Sequence, residues 1–358
     1  MRIAVVTKEL AAGGAERVIA QLLNEWSGMG HECHLILLDK TPRFYGVSDA
    51  VDVLEIGELS DTFYVDKLLK YARVRKLVRG IKPDVVLSMP EEYGIFVIGA
   101  LLGTGIPTVV SERNDPRRMP FKKATRALRR MLYPFAKGLI FQTEHAKSYF
   151  PKRFYKKSIV LDNPLDLNRL PEPHTGERDR FIAAVGRLEK QKNYPVLLDA
   201  FSKFFLTHPD FRLVIYGQGG LEDELKAYAR SILPAEAVEF GGVVKDVLER
   251  INSASCFVLS SDHEGVPNAL IEAMALGIPC VSTDFAPCGA SCVIEDKKTG
   301  YITPVGDADK LCEAMCLAVD LPDRLLPAET VSRMIREKYD AKAVSLRWLE
   351  FLGKTSSK

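Results

Sequence analysis

The chain lacks several things, and each absence excludes a class of function. No run approaches the ~20 consecutive apolar residues of a membrane-spanning helix. The seven cysteines (33, 256, 280, 288, 292, 312 and 316) form no Cys-x-x-Cys. Cys288/Cys292 and Cys312/Cys316 are spaced four apart, and the second pair falls on an apolar helix face. Buried free thiols are therefore expected, not zinc, and no metal ligand set is indicated. An odd cysteine count without a signal peptide suits a reducing, cytoplasmic setting. No Gly-x-Gly-x-x-Gly follows a strand, so a nicotinamide site is not indicated. Net charge is nearly absent too: 49 Lys and Arg against 47 Asp and Glu leave +2. That balance hides an asymmetry. Residues 1–163 hold 26 basic against 18 acidic side chains, and the rest hold 23 against 29. A basic first half points to an anionic partner: membrane, phospholipid or nucleic acid.

What is present is 358 residues, 47 % of them hydrophobic, enough for two ordinary domains with real cores. Arg2–Thr7 is a β-branched run that reads as a central parallel strand. Ala15–Ser27 reads as a helix. Further strands are expected at Cys33–Leu38, Asp84–Ser88, Pro107–Ser111, Gly138–Gln142 and Ser158–Leu161, with helices between, giving a doubly wound α/β domain. A proline-rich stretch over 164–179 reads as a linker. A second α/β unit follows over 180–335, with strands at Arg180–Val185, Arg212–Tyr216, Val238–Gly242, Cys256–Leu259 and Pro279–Thr283. Residues 336–358 hold an amphipathic helix, Ala341–Phe351.

The rest of the chain is read against residues 260–277. Cys256–Leu259 leads through Gly265-Val266-Pro267-Asn268 into the helix former Ala269–Leu276, with Pro near the first helical position. A strand, a glycine turn and a helix N-terminus make a ready anion site. Glu264 and Glu272 flank it. Carboxylates beside an anion make sense when the ligand also carries hydroxyls, which donate to them. Upstream, Gly186-Arg187-Leu188-Glu189-Lys190-Gln191-Lys192-Asn193 leaves a strand and presents two cations, Arg187 and Lys192, suited to a diphosphate developing charge. Gly217-Gln218-Gly219 ends another strand. Gly13 and Gly14 stand where the first strand turns into a helix, so backbone can approach a ligand there.

The Glu-x7-Glu segment, Glu264 to Glu272 with Gly-x-Pro inside, resembles that of retaining glycosyltransferases of the GT-B fold, in particular glycosyltransferase family 4. Gly-Arg-Leu-x-x-x-Lys-Asn, the Gly-Gly-Ala-Glu at 13–16, the Gly-x-Gly turn at 217–219 and Thr299-Gly300-Tyr301 resemble further elements of that family. The resemblance implies two Rossmann-like parallel-sheet domains facing across a cleft. It implies acceptor binding by residues 1–163 and nucleotide-sugar binding by 180–335, with the C-terminal helix crossing back to the first domain. A hexose or N-acetylhexosamine would move, with retention, from a nucleoside-diphosphate sugar, most simply a UDP-sugar. The leaving phosphate would take the acceptor proton on the same face. The acceptor would be a saccharide linked to polyprenyl diphosphate, in cell-surface polysaccharide synthesis. Glu264, Arg187 and Lys192 would be catalytic. Gly13, Gly14, Gly217, Val243, Val244, Gly265, Val266, Pro267, Asn268, Ala269, Leu270 and Glu272 would join Glu264 in binding the donor, with Val243 and Val244 against the base. No cofactor and no obligatory metal are expected. A nucleotide-sugar epimerase of the same fold, or a non-catalytic nucleotide-sugar-binding partner, are the alternatives.

Ser111-Glu112-Arg113-Asn114-Asp115 lies past the carboxyl end of a strand, where such sheets bind ligands. Many family members carry a His nearby, and here Arg113 is the nearest equivalent. Glu112 and Arg113 are candidate acceptor contacts, or a surface ion pair with each other. His263 also departs from many relatives and is given no role. Residues Arg117–Lys137 hold eight Lys and Arg and no acid. At 100° per residue, Phe121, Ala124, Leu128, Met131 and Leu132 share one face, and Lys122, Lys123, Arg126, Arg129 and Arg130 the other. The apolar face is expected to pack on the sheet and the basic one to meet solvent, lipid headgroups or a pyrophosphate. No nucleic-acid motif accompanies these charges. The expected setting is cytoplasmic, peripheral on the inner face of the cell membrane.

Overall fold

The computed structural model describes residues 1–11, 13–285 and 289–356. The chain divides into two compact units, Met1–Leu165 with Tyr339–Lys358, and Asp166–Lys338. In the first, β1 (Arg2–Thr7), β2 (Glu32–Leu37), β3 (Val51–Glu55), β4 (Val85–Ser88), β5 (Thr108–Ser111), β6 (Gly138–Phe141) and β7 (Ser158–Val160) form one sheet in the order β3-β2-β1-β4-β5-β6-β7. Every pairing is parallel. β4, β5 and β6 are buried throughout, as the continuous Val-Val-Leu and Thr-Val-Val runs demand of a sheet covered on both faces. β3 was not anticipated: Val-Asp-Val-Leu-Glu sits at the sheet edge, half-buried, and alternates too briefly to stand out.

Alternate strand residues feed opposite cores. Ile3, Val5, Leu35 and Leu87 pack with α1 (Gly14–Gly28) and the C-terminal helix Ala341–Ser356, while Ala4, Val6, Ile36 and Val86 pack with α2 (Phe63–Ile81) and α3 (Glu91–Leu101). α4 (Lys123–Leu132) lies against α3 in turn, so α2, α3 and α4 make one layer. A short α5 (Glu144–Ser148) precedes β7.

The second unit has β8 (Asp179–Val185), β9 (Arg212–Tyr216), β10 (Val238–Gly242), β11 (Ala254–Leu259), β12 (Cys280–Thr283) and β13 (Tyr301–Thr303), all parallel, in the order β10-β9-β8-β11-β12-β13. Its helices are α6 (Tyr194–Phe205), α7 (Glu222–Ile232), α8 (Val247–Ile251), α9 (Asn268–Ala275), α10 (Ala308–Asp320) and α11 (Ala328–Tyr339). α11 holds the far end of α9: Ser332 Oγ and Arg336 Nε both donate to the Ala275 carbonyl, at 2.6 and 3.0 Å. A guanidinium on the last carbonyls of a helix satisfies orphan acceptors and opposes the dipole. The chain returns to the first unit at Tyr339, whose carbonyl accepts from Leu165 N (2.7 Å). α12 (Ala341–Ser356) is then pinned by its own Trp348, whose indole donates to Asp162 O, and by Trp26 of α1 donating to Ser345 O.

Two expectations are corrected here. α4 faces the other way. Phe121 and Met131 are 73 % and 68 % exposed, whereas Arg129 is 1 % exposed. Arg129 Nη1 donates to both oxygens of Glu112 (3.3 and 3.1 Å) and to Met119 O, and Nη2 donates to Pro116 O. It also lies over the rings of Tyr149 and Phe150. Arg126 is drawn in as well, with Nη1 on the carbonyls of Arg118, Pro120 and Phe121. Glu112 is not a surface acid paired to Arg113. It is buried at the end of β5, saturated by Arg129 and by the Tyr133 hydroxyl. A buried acid needs hydrogen-bond partners, and Arg129 and Tyr133 supply them, which sets the side of α4 that turns inward.

The cysteines need a smaller correction. Cys33, Cys256 and Cys280 are buried free thiols, and Cys312 and Cys316 are free but only partly buried. Burial pushes the Cys33 and Cys312 thiols up to about 11. Cys292 is disulfide-bonded instead of free. It ends a short 3-10 turn, Ala290–Cys292. Cys288 lies outside the described residues.

Burial raises the Glu112 carboxyl from 4.5 to about 8, although Arg129 and the Tyr133 hydroxyl pull it down. The folded state therefore binds a proton that the unfolded state releases between those values, and this stabilisation is lost as pH rises through about 8. The stability of the wild type relative to Glu112→Gln is expected to fall from pH 4.5 to 8, read from thermal unfolding at several pH values. Arg129→Leu, which leaves Glu112 without its cation, is expected to cost more above pH 8, where Glu112 is ionised, than below it, approaching about 3–5 kcal/mol. A pH-independent difference for Glu112→Gln would contradict this account.

Candidate active site

The candidate site is built from the carboxyl ends of β8, β9, β10 and β11, where open parallel sheets bind ligands. Beyond β8, Gly186 N donates to Tyr216 O (2.9 Å) and Gly217 N to Gly242 O (2.8 Å), tying three strand ends together. Gly217 has φ +144°, and a Cβ there would lie 1.9 Å from Gly186 O. At Gly219 a Cβ would lie 2.3 Å from Leu188 O. Both positions need glycine because two loops touch backbone to backbone. Leu188 is buried and pegs its loop, bonded through Leu188 N to Gln218 O (2.9 Å). Arg187, between Gly186 and this peg, is exposed, and its guanidinium has no partner among the described residues.

The same loop then turns through Lys190–Lys192 and Asn193, which adopts φ 46°, into α6. Here it meets the segment after β11. Lys192 Nζ donates to Glu264 Oε1 at 2.5 Å, both side chains being largely buried. Ser261 Oγ donates to the same oxygen (2.8 Å), and Gln191 Nε2 donates to Glu264 Oε2 (3.2 Å) and His263 O (2.8 Å). Asp262 N donates to Gln191 O, Asn193 Nδ2 to Asp262 Oδ1 and Ser260 Oγ to Lys192 O. Thr283 Oγ1 of β12 donates to Ser261 O (2.6 Å). Two motifs 72 residues apart are thus one rigid structure. Gln191, Asn193, Ser261 and Asp262 do the joining, and sequence reasoning did not single them out. Their only signal was position: each lies inside or beside a recognised motif.

The chain then turns through Gly265 and Val266 to Pro267, which stands at the N-terminus of α9 in extended conformation, with no side chain capping the helix. Pro267 O accepts from the N–H groups of Leu270 and Ile271. Leu270 is buried and Asn268 and Ala269 half-buried, so the first turn of α9 is held by its apolar side. Glu272 follows on α9, buried at 7 % exposure. Beside β10, Gly242 takes φ +65°, Val243 is exposed and Val244 half-buried. These two are open to a flat apolar ligand. The arrangement offers a carboxylate fixed by three donors, a free guanidinium, an ammonium and an uncapped helix N-terminus.

The remaining candidates lie in the first unit. Gly13 and Gly14 open α1, with the Glu16 carboxylate folded back over Gly13 where a Cβ would stand. Arg113 is buried, not exposed. Its N–H donates to Glu91 Oε2 (3.1 Å) and its Nη2 to Asn163 Oδ1 (2.5 Å). Nε and Nη1 have no partner among the described residues, and burial lowers the guanidinium to about 10. Glu91, at the start of α3, is fully buried and also accepts from Asn114 Nδ2 (2.9 Å). It orders the 111–115 loop and was not anticipated, although acids directly after a strand and a proline mark a helix start. Lys122, Lys123 and Arg130 are exposed, unlike Arg129 and the half-buried Arg126.

Comparison with known proteins gives the family and the fold. Residues 169–340 match the family described as glycosyl transferases group 1, and residues 12–169 match Glycosyltransferase Family 4. The GalNAc-alpha-(1->4)-GalNAc-alpha-(1->3)-diNAcBac-PP-undecaprenol alpha-1,4-N-acetyl-D-galactosaminyltransferase of Campylobacter jejuni is 27 % identical, over 100 % of this chain and 99 % of its own. The UDP-Gal:alpha-D-GlcNAc-diphosphoundecaprenol alpha-1,3-galactosyltransferase of Escherichia coli is 24 % identical, over 89 % and 88 %. Among solved structures, Anabaena HepE in complex with UDP and glucose superposes with a TM-score of 0.83 at 16 % identity, covering 99 % of each chain. The lipopolysaccharide outer core galactosyltransferase WaaB, in its apo form, gives 0.76 at 18 %, again over 99 % of each. With one family matched in each half, two parallel-sheet units and a fold shared with GT-B enzymes, the chain belongs to the group 1/family 4 glycosyltransferases.

Proposed function

We propose that the protein is a retaining glycosyltransferase that moves a hexose or N-acetylhexosamine from a UDP-sugar to a saccharide carried on polyprenyl diphosphate, in cell-surface polysaccharide synthesis. The observation that carries this reading is the Lys192–Glu264 contact, placed with the unpartnered Arg187 and the uncapped α9 in one unit. Glu264, oriented by Lys192, Ser261 and Gln191, accepts from sugar hydroxyls. An ammonium has three N–H donors, so Lys192 keeps two for the diphosphate while one stays on Glu264. Arg187 and the α9 amides meet the other phosphate oxygens. The C1–O bond to the diphosphate breaks, the acceptor oxygen bonds C1 from the same side, and the acceptor proton passes to the leaving phosphate. These fixed cations stabilise that charge without an obligatory metal. Glu272 accepts from ribose hydroxyls, and Val243 and Val244 lie along the base.

The acceptor reading has separate support. The Campylobacter and Escherichia relatives are named for undecaprenol-linked acceptors. In this chain, two Arg113 guanidinium nitrogens, Nε and Nη1, have no partner among the described residues and lie at the carboxyl edge of the first sheet, suited to an anionic acceptor. Among the described residues no helix is long and apolar enough to cross a membrane. Exposed Lys122, Lys123 and Arg130 on or beside α4 suit a peripheral seat on the anionic inner face of the cell membrane, which is where such an acceptor would be met.

Calorimetry with UDP, GDP and ADP, then UDP-hexoses, tests the donor, and UDP is expected to bind best. Glu264→Ala is expected to abolish transfer with UDP affinity little changed, and Glu272→Ala to weaken UDP binding by roughly 1.5–3 kcal/mol, about 10- to 100-fold. Wild-type turnover in Glu264→Ala would overturn the assignment.

Arg187→Ala and Lys192→Ala are each expected to lower kcat more than they raise KM for the donor, because the charge they meet is greatest as the diphosphate leaves. Steady-state kinetics with EDTA present should leave the wild type active. Complete loss in chelator would count against leaving-group stabilisation by these two cations.

A further inference from the structure

The head of α2 is apolar and uncovered. Phe63, Tyr64, Val65, Leu68 and Leu69 fall within its first two turns and are all exposed, Tyr64 at 77 % and Leu68 at 70 %. At 100° per residue, Val65, Leu68 and Leu69 turn away from Val74 and Val78, which are buried against the sheet, and Tyr64 flanks Leu68 at the exposed first turn. The same outward side continues into Arg73, Lys76 and Arg79, also exposed. Contiguous large apolar side chains left in water mark an interaction surface.

The layer argument extends this patch. α2 packs beside α3 and α3 beside α4, and Arg75 Nη1 ties α2 to the end of α3 through the carbonyls of Ala100 and Leu102 (2.9 and 2.8 Å). The outward side of α2 therefore shares a helical layer with the exposed Leu128 and Met131 of α4, which exposed Phe121 precedes. Cations accompany both: Lys67, Arg73, Lys76 and Arg79 on α2, and Lys122, Lys123 and Arg130 on or next to α4. The one acid on α2, Asp66, is neutralised by Lys70 at 3.1 Å, and exposed Glu58 and Asp61 precede the helix.

This pairing of chemistries selects the occupant. A second copy meeting this surface about a two-fold axis would set cation rows against cation rows. An anionic bilayer satisfies both halves, with headgroup phosphates for Lys and Arg and the acyl boundary for Leu, Val, Phe and Tyr, aromatic rings being favoured at that depth. We propose that the exposed head of α2, with Tyr64, Leu68 and Leu69, inserts into an anionic bilayer and seats the first unit on it. The proposal rests on the membrane-borne acceptor argued above and adds apolar insertion by α2 to charge attraction by α4. α2 is the next helix after β3 and α4 the next after β5, so in this parallel sheet the chain enters each from the carboxyl edge, the edge that carries Arg113 and Glu91.

The test uses the full chain. Trp26 and Trp348 are fully buried, so a tryptophan introduced at an exposed site reports alone on its surroundings. Tyr64→Trp is compared with Leu206→Trp, an exposed site in the second unit, on vesicles of phosphatidylglycerol with phosphatidylcholine and of phosphatidylcholine only, with and without brominated chains. On the anionic vesicles the Tyr64→Trp reporter is expected to shift to the blue and be quenched by bromine, with Leu206→Trp unmoved. In co-sedimentation at high salt, Leu68→Ser/Leu69→Ser is expected to pellet several-fold less than wild type, with unchanged thermal unfolding and unchanged UDP binding. Lys122→Glu/Lys123→Glu/Arg130→Glu should lose the preference for anionic lipid. Pelleting without any change at Tyr64→Trp would overturn insertion by α2 while leaving a charge-only membrane contact standing. No pelleting at all would overturn both. A blue shift that needs no vesicles, with a dimer that Leu68→Ser/Leu69→Ser dissolves, would make the surface an interface between copies and also overturn the proposal.

Discussion

The second unit depends on the contact between Lys192 and Glu264. A carboxylate and an ammonium, each largely buried, would be costly apart, and together they remain costly unless further hydrogen bonds satisfy them. Ser261 and Gln191 supply those bonds on the carboxylate side. The consequence reaches well beyond the pair. The Lys190–Asn193 turn and the Ser260–Glu264 segment cannot move separately, so α6 and α9 begin at fixed places. Gly217 and Gly219 are the steric condition for it, because any side chain there would push the Gly186–Leu188 loop away and carry Lys192 with it.

The first unit uses buried charge differently. Glu112 is sealed between Arg129 and Tyr133, buried away from any ligand in solvent. Its neighbour Arg113 is the reverse, a buried guanidinium with Nε and Nη1 unpartnered among the described residues. Unsatisfied buried donors cost about 1–3 kcal/mol each. Glu91 limits that cost by holding the Arg113 backbone and Asn114, so the loop keeps its shape while the guanidinium keeps unspent hydrogen bonds. Two adjacent residues at one strand end thus divide the work: one fastens α4, the other keeps binding capacity.

Most of the strands were legible because parallel sheets buried on both faces demand continuous β-branched runs, and Arg2–Thr7, Val85–Ser88 and Ala254–Leu259 supply them. β3 was missed because an edge strand needs no such run. The donor-side cluster was legible as motifs, yet its joinery was not. Gln191 and Ser261 are polar residues in polar loops, and only the fold brings them to Glu264. Arg113 and Glu112 were found as a strand-end pair, but their partners are set by long-range packing. Arg129 lies 17 residues and a helix away from Glu112, and nothing local announces it.

α4 shows why such packing escapes a helical wheel. The wheel separates an apolar from a basic side and cannot say which turns inward. Exposing Phe121 and Met131 forfeits roughly 1.5–3 kcal/mol apiece. Turning α4 over to bury them would strand Glu112, at about 3–5 kcal/mol, and would also break the carbonyl contacts of Arg126 and Arg129. The two sides of that balance are close, and the carbonyl contacts of Arg126 and Arg129 tip it. The apolar area left outside is not wasted if a lipid surface takes it up. The basic residues that remain outside, Lys122, Lys123 and Arg130, stand beside that apolar strip, as they must where one helix face meets headgroups and acyl chains together.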